Sequence, residues 1–439
     1  MATPAIALKK EQRKRRSSQG AYIALLALSA LYFGRPEDVI PGLGMIPMAK
    51  IAGGLALIGL ILSLMSGRSK QKFATETKYV LAMFAWYCIT IPFASWMGGA
   101  FNVIMTRLSK AVIVAVLVAM VVREFWQLKR LVWVQAAAVA SMAVASVAMH
   151  HTHGGRLVGA LGGVFENPND LAINIALNWP ICVAFFFMAR GPKKVLWAIA
   201  LLVMLIGVEL TYSRSGFLAV SLAAALVLWE FAIRRRRMYM ILVAGFLGIF
   251  LLVAMPGHYL IRLKSIVTGN EAYSMDKGSV EARKGLLIES IQTAIHHPIF
   301  GVGAGNFEIL SGWHVAHNTY AEIAAEAGVP AFILFMMMFK RTFRNLKLVR
   351  QSPLYQTDID IQGLGGALWV SVSAYAISAF FASTEYSMYP YFLVGYTTAL
   401  YQIVLEREKE MAPDSLAQTN GRERRYGKKP ERQLAWTRG

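Results

Sequence analysis

The sequence predicts an all-α, polytopic integral membrane protein with about 12 transmembrane helices and one long outside loop bearing short helices. Two observations carry this. Of 439 residues, 56% are hydrophobic and 16% charged, and the mean hydropathy is +0.46. Soluble chains run nearer 45–50% and about 25%, and a single soluble core stops growing at about 250–300 residues. The second observation is the distribution of charge. There are 45 Lys+Arg against 25 Asp+Glu, and the basic residues fall in alternate connections between apolar runs. A cytosolic enzyme, a secreted disulfide scaffold and a disordered chain are excluded. Cys88 and Cys182 both lie inside apolar runs, so neither a disulfide framework nor a zinc site is encoded.

Apolar runs occupy residues 20–33, 50–66, 79–97, 103–122, 131–149 and 171–189, then 195–212, 215–233, 239–255, 318–339, 363–382 and 389–405. The first is short. Basic residues from Lys9 to Arg16 precede it, and Gly34-Arg35-Pro36-Glu37-Asp38 follows where a signal peptide would carry small residues. It is read as an uncleaved signal anchor. With the N-terminus cytoplasmic, the inside segments are 1–19, 67–78, 123–130, 190–194, 234–238, 340–362 and 406–439. Together they hold 34 of the 45 Lys and Arg, as the positive-inside rule requires. Three regions result: a basic cytoplasmic N-terminus (1–19), a membrane domain (20–405) with the outside loop at 256–316, and a basic, disordered cytoplasmic tail (406–439). The tail is an anchor to anionic lipid, and no nucleic-acid partner is expected.

On the outside, the segment after the fifth run reads His150-His151-Thr152-His153-Gly154-Gly155-Arg156, followed by Asn167-Pro168-Asn169-Asp170. The histidines invite a metal reading, but no Cys or carboxylate stands at ligand spacing; solvated histidines at a helix end are the expectation, and no metal. Next comes Thr211-Tyr212-Ser213-Arg214-Ser215-Gly216, squeezed between two apolar runs. A cation this close to the bilayer faces a partner or cavity, or snorkels to headgroups; anion binding is the reading adopted for Arg214.

In the long loop, Ser279 to His297 has helical periodicity, with Leu287, Ile291, Ala294 and Ile295 on one face and Pro298 ending it. Arg283 lies near its start. The glycines of Gly301-Val302-Gly303-Ala304-Gly305 let backbone amides approach a ligand or make a plain flexible turn. The run at 318 opens with His317-Asn318-Thr319-Tyr320-Ala321-Glu322. Thr319 and Glu322 match a capping box, which starts the helix beside His317. The positive end of a helix disfavours imidazolium and keeps the ring able to accept a proton.

These elements resemble the O-antigen ligase and polymerase superfamily of bacterial envelope glycosyltransferases. The resemblance rests on Arg156 with Phe165-Glu166-Asn167-Pro168-Asn169-Asp170, on Ser213-Arg214-Ser215-Gly216, on Arg283 leading into His297-Pro298-Ile299-Phe300-Gly301-Val302-Gly303-Ala304-Gly305-Asn306-Phe307, and on His317-Asn318-Thr319-Tyr320 with Glu326-Ala327-Gly328. It implies a glycan donor linked through diphosphate to undecaprenol, and transfer of that glycan to a hydroxyl, with inversion, at the periplasmic face of the bacterial inner membrane. No cofactor, metal or nucleotide sugar is implied. His317 is the implied general base. Arg214 and Arg283, with Arg156 as a third, hold the diphosphate, because guanidinium offers fixed bidentate donors to phosphate. Asn318, Glu322, Glu326, Gly303, Gly305 and Asn169 are supporting candidates. A lipid A–core acceptor, making the protein a ligase, is the leading expectation. A polymerase, a protein O-oligosaccharyltransferase and a lipid-linked-glycan transporter stand as alternatives.

Overall fold

A computed structural model describes residues 4–34, 46–65, 73–153, 155–159, 167–255, 257 and 279–425. It is an all-α bundle, with one two-residue hairpin between Thr152–His153 and Arg156–Leu157. Among the described residues, six helices are long and apolar enough to cross a membrane: Met48–Met65, Met97–Val121, Phe125–Ala148, Pro168–Met188, Arg214–Ile233 and Thr319–Gln351. Gln19–Gly34 and Tyr239–Val253 are shorter apolar helices. The remaining apolar runs coincide with helices at Thr75–Thr90, Pro192–Leu210, Ile359–Ser378 and Met388–Arg425. The last continues through Arg425, into the basic segment. Of the loop at 256–316, residues 256 and 258–278 lie outside the described residues, as do Phe165 and Glu166. The predicted loop helix is present as Ser279–His296.

Four helices frame the site: α1 (Pro168–Met188), α2 (Arg214–Ile233), α3 (Thr319–Gln351) and α4 (Ile359–Ser378). Residues with little polarity cover the outside of the bundle. Leu242, Phe246 and Val253 are each more than three-quarters exposed, as expected of side chains meeting lipid rather than water. The middle of the bundle is crossed by a satisfied polar chain. The Tyr396 hydroxyl donates to Gln135 (2.6 Å), whose amide donates to Asn178 (2.9 Å), whose amide reaches the Asn174 carbonyl (2.9 Å). Buried amides without such partners would each cost on the order of 1–3 kcal/mol.

Two lateral contacts fix which helix ends lie together. Gly363, near the start of α4, approaches Met188 at the end of α1. Midway along, the Ser371 hydroxyl donates to the Leu177 carbonyl (2.8 Å). The helices are therefore antiparallel, and the end of α4 lies level with the start of α1. The end of α4 also touches the start of α3, since the Thr319 amide donates to the Ala379 carbonyl at 2.9 Å. Asn169 and Thr319 thus belong to one end of the molecule. At the opposite end, the buried Glu230 carboxylate is held by Arg350 (2.6 Å), Arg234 (3.2 Å) and the Tyr355 hydroxyl (2.7 Å).

Candidate active site

The site grows out of a break in α3. Hydropathy predicts an unbroken helix from 318 to 339, but Gly328 has φ 74° and ψ 175°. That conformation is open to glycine and strained for other residues. A Cβ on Gly328 would lie 2.1 Å from the Ile299 carbonyl oxygen. Pro330, two residues on, lacks the amide that a continuous helix would need. The break frees three carbonyls of the first segment, 319–327, and the preceding loop and a neighbouring indole take them. Val302 and Gly303 amides donate to Ala325 (2.9 Å) and Glu326 (2.8 Å), and the Trp86 indole donates to Ala327 (2.8 Å). The Val329 amide returns to the Pro298 carbonyl at 2.8 Å. Phe300 pins the loop by stacking on Phe93 and Trp86.

This pairing bears on the two readings of the glycine loop. The amides of Val302 and Gly303 are consumed by the broken helix, and those of Gly305 and Phe307 by the Glu326 carboxylate. These four amides are therefore taken by the chain's own carbonyls and carboxylate. Gly303 permits close approach, since a Cβ there would lie 2.3 Å from the Cβ of Ala94, and Gly305 packs against Val103. Glu326 accepts a further hydrogen bond from the Tyr386 hydroxyl. Its role in the structure is to tie the loop to the half-helix.

At the head of the half-helix the cap also differs from expectation. Asn318, not Thr319, is the N-cap, and its side chain accepts from the Ala321 amide at 3.0 Å. Asn caps at least as well as Thr, and Thr319 is drawn away to donate to the Ala382 carbonyl (2.6 Å). Glu322 does not close a capping box. Its carboxylate accepts from the Ala316 amide (3.2 Å) and from the Ser383 hydroxyl. That grip holds the residue before His317. His317 itself adopts φ 52°, a left-handed conformation that is uncommon outside glycine and is concentrated at functional positions. Burial, then the charges of Arg283 and His314, lowers its pKa to about 4. The ring is neutral and within the field of Arg283. His314 is exposed and turns back to the Gly312 carbonyl.

The other predicted residues cluster around the start of α1 and α2. Arg156 donates through Nε to the Thr211 carbonyl (2.9 Å) and through Nη2 to Asn169 Oδ1 (3.1 Å). The Ser213 hydroxyl donates to the same Asn169 oxygen at 2.6 Å. Asn169 thereby joins the hairpin, α1 and the turn that launches α2 at Arg214. Ser213 is the N-cap of α2, accepting from the Gly216 amide. Gly216 leaves no space for a Cβ, which would lie 2.2 Å from the Cβ of Ala172.

Ser383, Glu385 and Tyr386 belong to no motif that the sequence singles out, and they sit in a plain turn between two apolar runs. A signal was present nonetheless: a lone carboxylate flanked by hydroxyls, Ser383-Thr384-Glu385-Tyr386, between membrane helices.

The fold and site define an all-α membrane protein with a neutral histidine and arginines at one end of the bundle. Residues 181–336 match the O-antigen ligase family, Wzy_C. The resemblance to the O-antigen ligase and polymerase superfamily therefore holds over this segment, which carries Arg214, Arg283, His317 and Glu326. The match supports a membrane glycosyltransferase type of enzyme. No curated protein matches the sequence. Among solved structures, a chain of a peptidoglycan synthase complex that coordinates polymerization and crosslinking is similar, with a TM-score of 0.42 and 13% identity. The similarity covers 75% of this chain and 96% of that one.

Proposed function

We propose that the protein transfers a glycan from undecaprenyl diphosphate to an acceptor hydroxyl at the periplasmic face of the bacterial inner membrane, as a ligase using lipid A–core. In this reading about twelve helices span the bilayer and both termini are cytoplasmic. The observation that carries the proposal is the neutral, partly buried His317 at the head of a broken helix, within the field of Arg283.

His317 takes the proton of the acceptor hydroxyl as its oxygen attacks the anomeric carbon. The bond from that carbon to the phosphate oxygen breaks, and its electron pair leaves on the lipid diphosphate. Arg214 and Arg283 hold the diphosphate and stabilise the charge that develops there. Arg156, engaged with Thr211 and Asn169, fixes the Arg214 turn. Glu322 and Asn318 fix the backbone on either side of His317, and Gly303, Gly305 and Glu326 hold the loop behind it. The test is reconstitution of the purified protein with an undecaprenyl-diphosphate glycan and either lipid A–core, a second lipid-linked glycan or a Ser/Thr peptide. Product on lipid A–core alone supports the ligase reading. Product on another acceptor replaces it with a polymerase or a protein glycosyltransferase.

A further inference from the structure

The helix at Ser279–His296 packs against α3 and presents three different sides. Ser290 is buried, with Leu286, Leu287 and Ala294 half-buried around it, on the side that meets the bundle. Glu289, Gln292 and His296 make a polar, exposed side. Between them lies a row that belongs to neither. Ile288, Ile291 and Ile295 stand three and four residues apart, one above another on the helix, and are 56%, 47% and 69% exposed. Ile299, just beyond the helix, extends the row at 57% exposure. Single exposed apolar residues are ordinary, but a contiguous apolar row marks a surface that something covers.

The row runs without a break into the wall of the bundle that faces lipid. Pro298 and Ile299 meet Val329, Pro330, Ile333 and Leu334 of α3 in an open groove of about 640 Å³ whose lining residues are all apolar. Val329 and Ile333 are themselves exposed on a helix long and apolar enough to cross the membrane, so this side of α3 meets acyl chains. The level of the membrane surface is marked beside the same loop. Trp96 is exposed, and its carbonyl accepts from the Asn306 amide group at 3.2 Å; tryptophan gathers at the boundary between membrane and water. Lys284, exposed and one turn before Ile288, shares the side of the row. A lysine stem lies along apolar surface while its ammonium reaches the headgroups.

We infer that the Ser279–His296 helix is seated in the outer leaflet, with Ile288, Ile291, Ile295 and Ile299 among phospholipid acyl chains, Lys284 at the lipid phosphates, and Glu289, Gln292 and His296 toward water. Helices with one apolar and one charged side take this position at a membrane surface. Phospholipid, rather than a second copy of the chain, is the occupant because the row has no border against the lipid-facing wall. One apolar surface passes from Ile288 to Ile333, and acyl chains are already the solvent at its far end. The seat itself does not rest on the transfer reading; its use does. Arg283, half-buried and adjacent to Lys284, is carried at the depth of the lipid phosphates, where a lipid diphosphate presents its own.

The test reads the surroundings of single side chains rather than turnover. Nitroxide labels are attached one at a time to Ile288→Cys, Ile295→Cys and Glu289→Cys in the full-length protein carrying Cys88→Ala; Cys182 is buried and stays. The protein is held in phosphatidylethanolamine–phosphatidylglycerol nanodiscs with one copy per disc. Leu242→Cys, on the lipid-facing wall, is the reference. Electron spin resonance power saturation compares collisions with oxygen, which concentrates among acyl chains, and with a nickel chelate, which stays in water. Labels at 288 and 295 should favour oxygen, as at 242, and the label at 289 should shift to nickel. A preference for nickel at 288 and 295 would put the row in water and overturn the inference. Shielding from both agents would mean a cover of protein, and would overturn it equally. Glycan transfer plays no part in the readout, so an inactive protein with oxygen-facing labels at 288 and 295 refutes the transfer reading and leaves the seat standing.

Discussion

Replacing Gly328 by Ala should undo the break on which the site is built. The residue sits at φ 74° and ψ 175°, a region that costs a non-glycine residue about 1–3 kcal/mol. The new Cβ would also meet the Ile299 oxygen at 2.1 Å and the Pro298 oxygen at 2.9 Å. Relief requires the loop to retreat, which breaks the 2.8 Å bond from Val329 to Pro298, a net loss of about 0.5–1.5 kcal/mol. The sum is about 1.5–4.5 kcal/mol, reaching the larger effects of single substitutions. Thermal unfolding in one detergent, followed by tryptophan fluorescence, should show a midpoint lowered by about 2–5 °C. Glycan transfer should fall with it, since His317 and the loop share the half-helix. Gly245→Ala, where a Cβ meets nothing within 4 Å, is the control and should match the wild type. An unchanged midpoint with full transfer in Gly328→Ala would refute the role of the break.

The lowered His317 pKa predicts an acid-tolerant enzyme. With a value of about 4, about nine in ten molecules keep the ring neutral at pH 5, against about one in thirty for an ordinary imidazole of pKa 6.5. The acid limb of kcat/KM should therefore lie near pH 4; a limb at pH 6.5 would contradict the burial of this ring. The same shift ties folding to pH. The folded state resists the proton, so stability is unaffected by this group above about pH 6.5 and declines as pH falls toward 4, where the unfolded chain takes up the proton first. Arg283→Gln removes one repulsive charge and should move the limb upward while weakening donor affinity; a limb that stays in place would separate Arg283 from His317. Arg156→Ala should loosen the hairpin from α1 and α2, seen as faster amide exchange at Thr211 to Ser213 by hydrogen–deuterium mass spectrometry. Unchanged exchange would reject the latch. Glu230→Ala leaves Arg234, Arg235 and Arg350 without their buried counter-charge and should destabilise the protein by about 3–5 kcal/mol, while donor affinity in the folded fraction stays that of the wild type. A thermal midpoint equal to the wild type's would count against that ionic cluster as a structural element.

What the sequence made legible came from periodicity and from residue types with few alternative uses. The apolar runs coincide with helices because a 20-residue run has few other destinations. The helix at Ser279–His296 is readable from its face of Leu287, Ile291 and Ile295 and from its stop at Pro298. His317 and Asn318 announce a helix start, although the cap falls on Asn318 rather than on Thr319. Which of two adjacent polar residues caps depends on what the other finds to bond, here the Ala382 carbonyl across the bundle. The amides at Gly303 and Gly305 depart from expectation for a similar reason. Three glycines announce close backbone approach but not what approaches, and the partner is the α3 half-helix. Gly328 and Pro330 do carry the signal of the break, hidden because hydropathy runs through it. That Glu385 shares a cavity wall with Glu322 and Glu326 arises only from long-range packing, and no spacing in the chain foretells it.

The decisive measurement is glycan transfer by the purified protein from a radiolabelled undecaprenyl-diphosphate oligosaccharide to lipid A–core, with wild type and His317→Ala compared in the same membranes. Labelled lipid A–core should form with the wild type and fall by at least about 100-fold in the variant, with donor binding retained. Equal product from both would remove His317 from the chemistry, and labelled acceptor from neither, with both proteins folded and donor bound, would remove the ligase reaction itself.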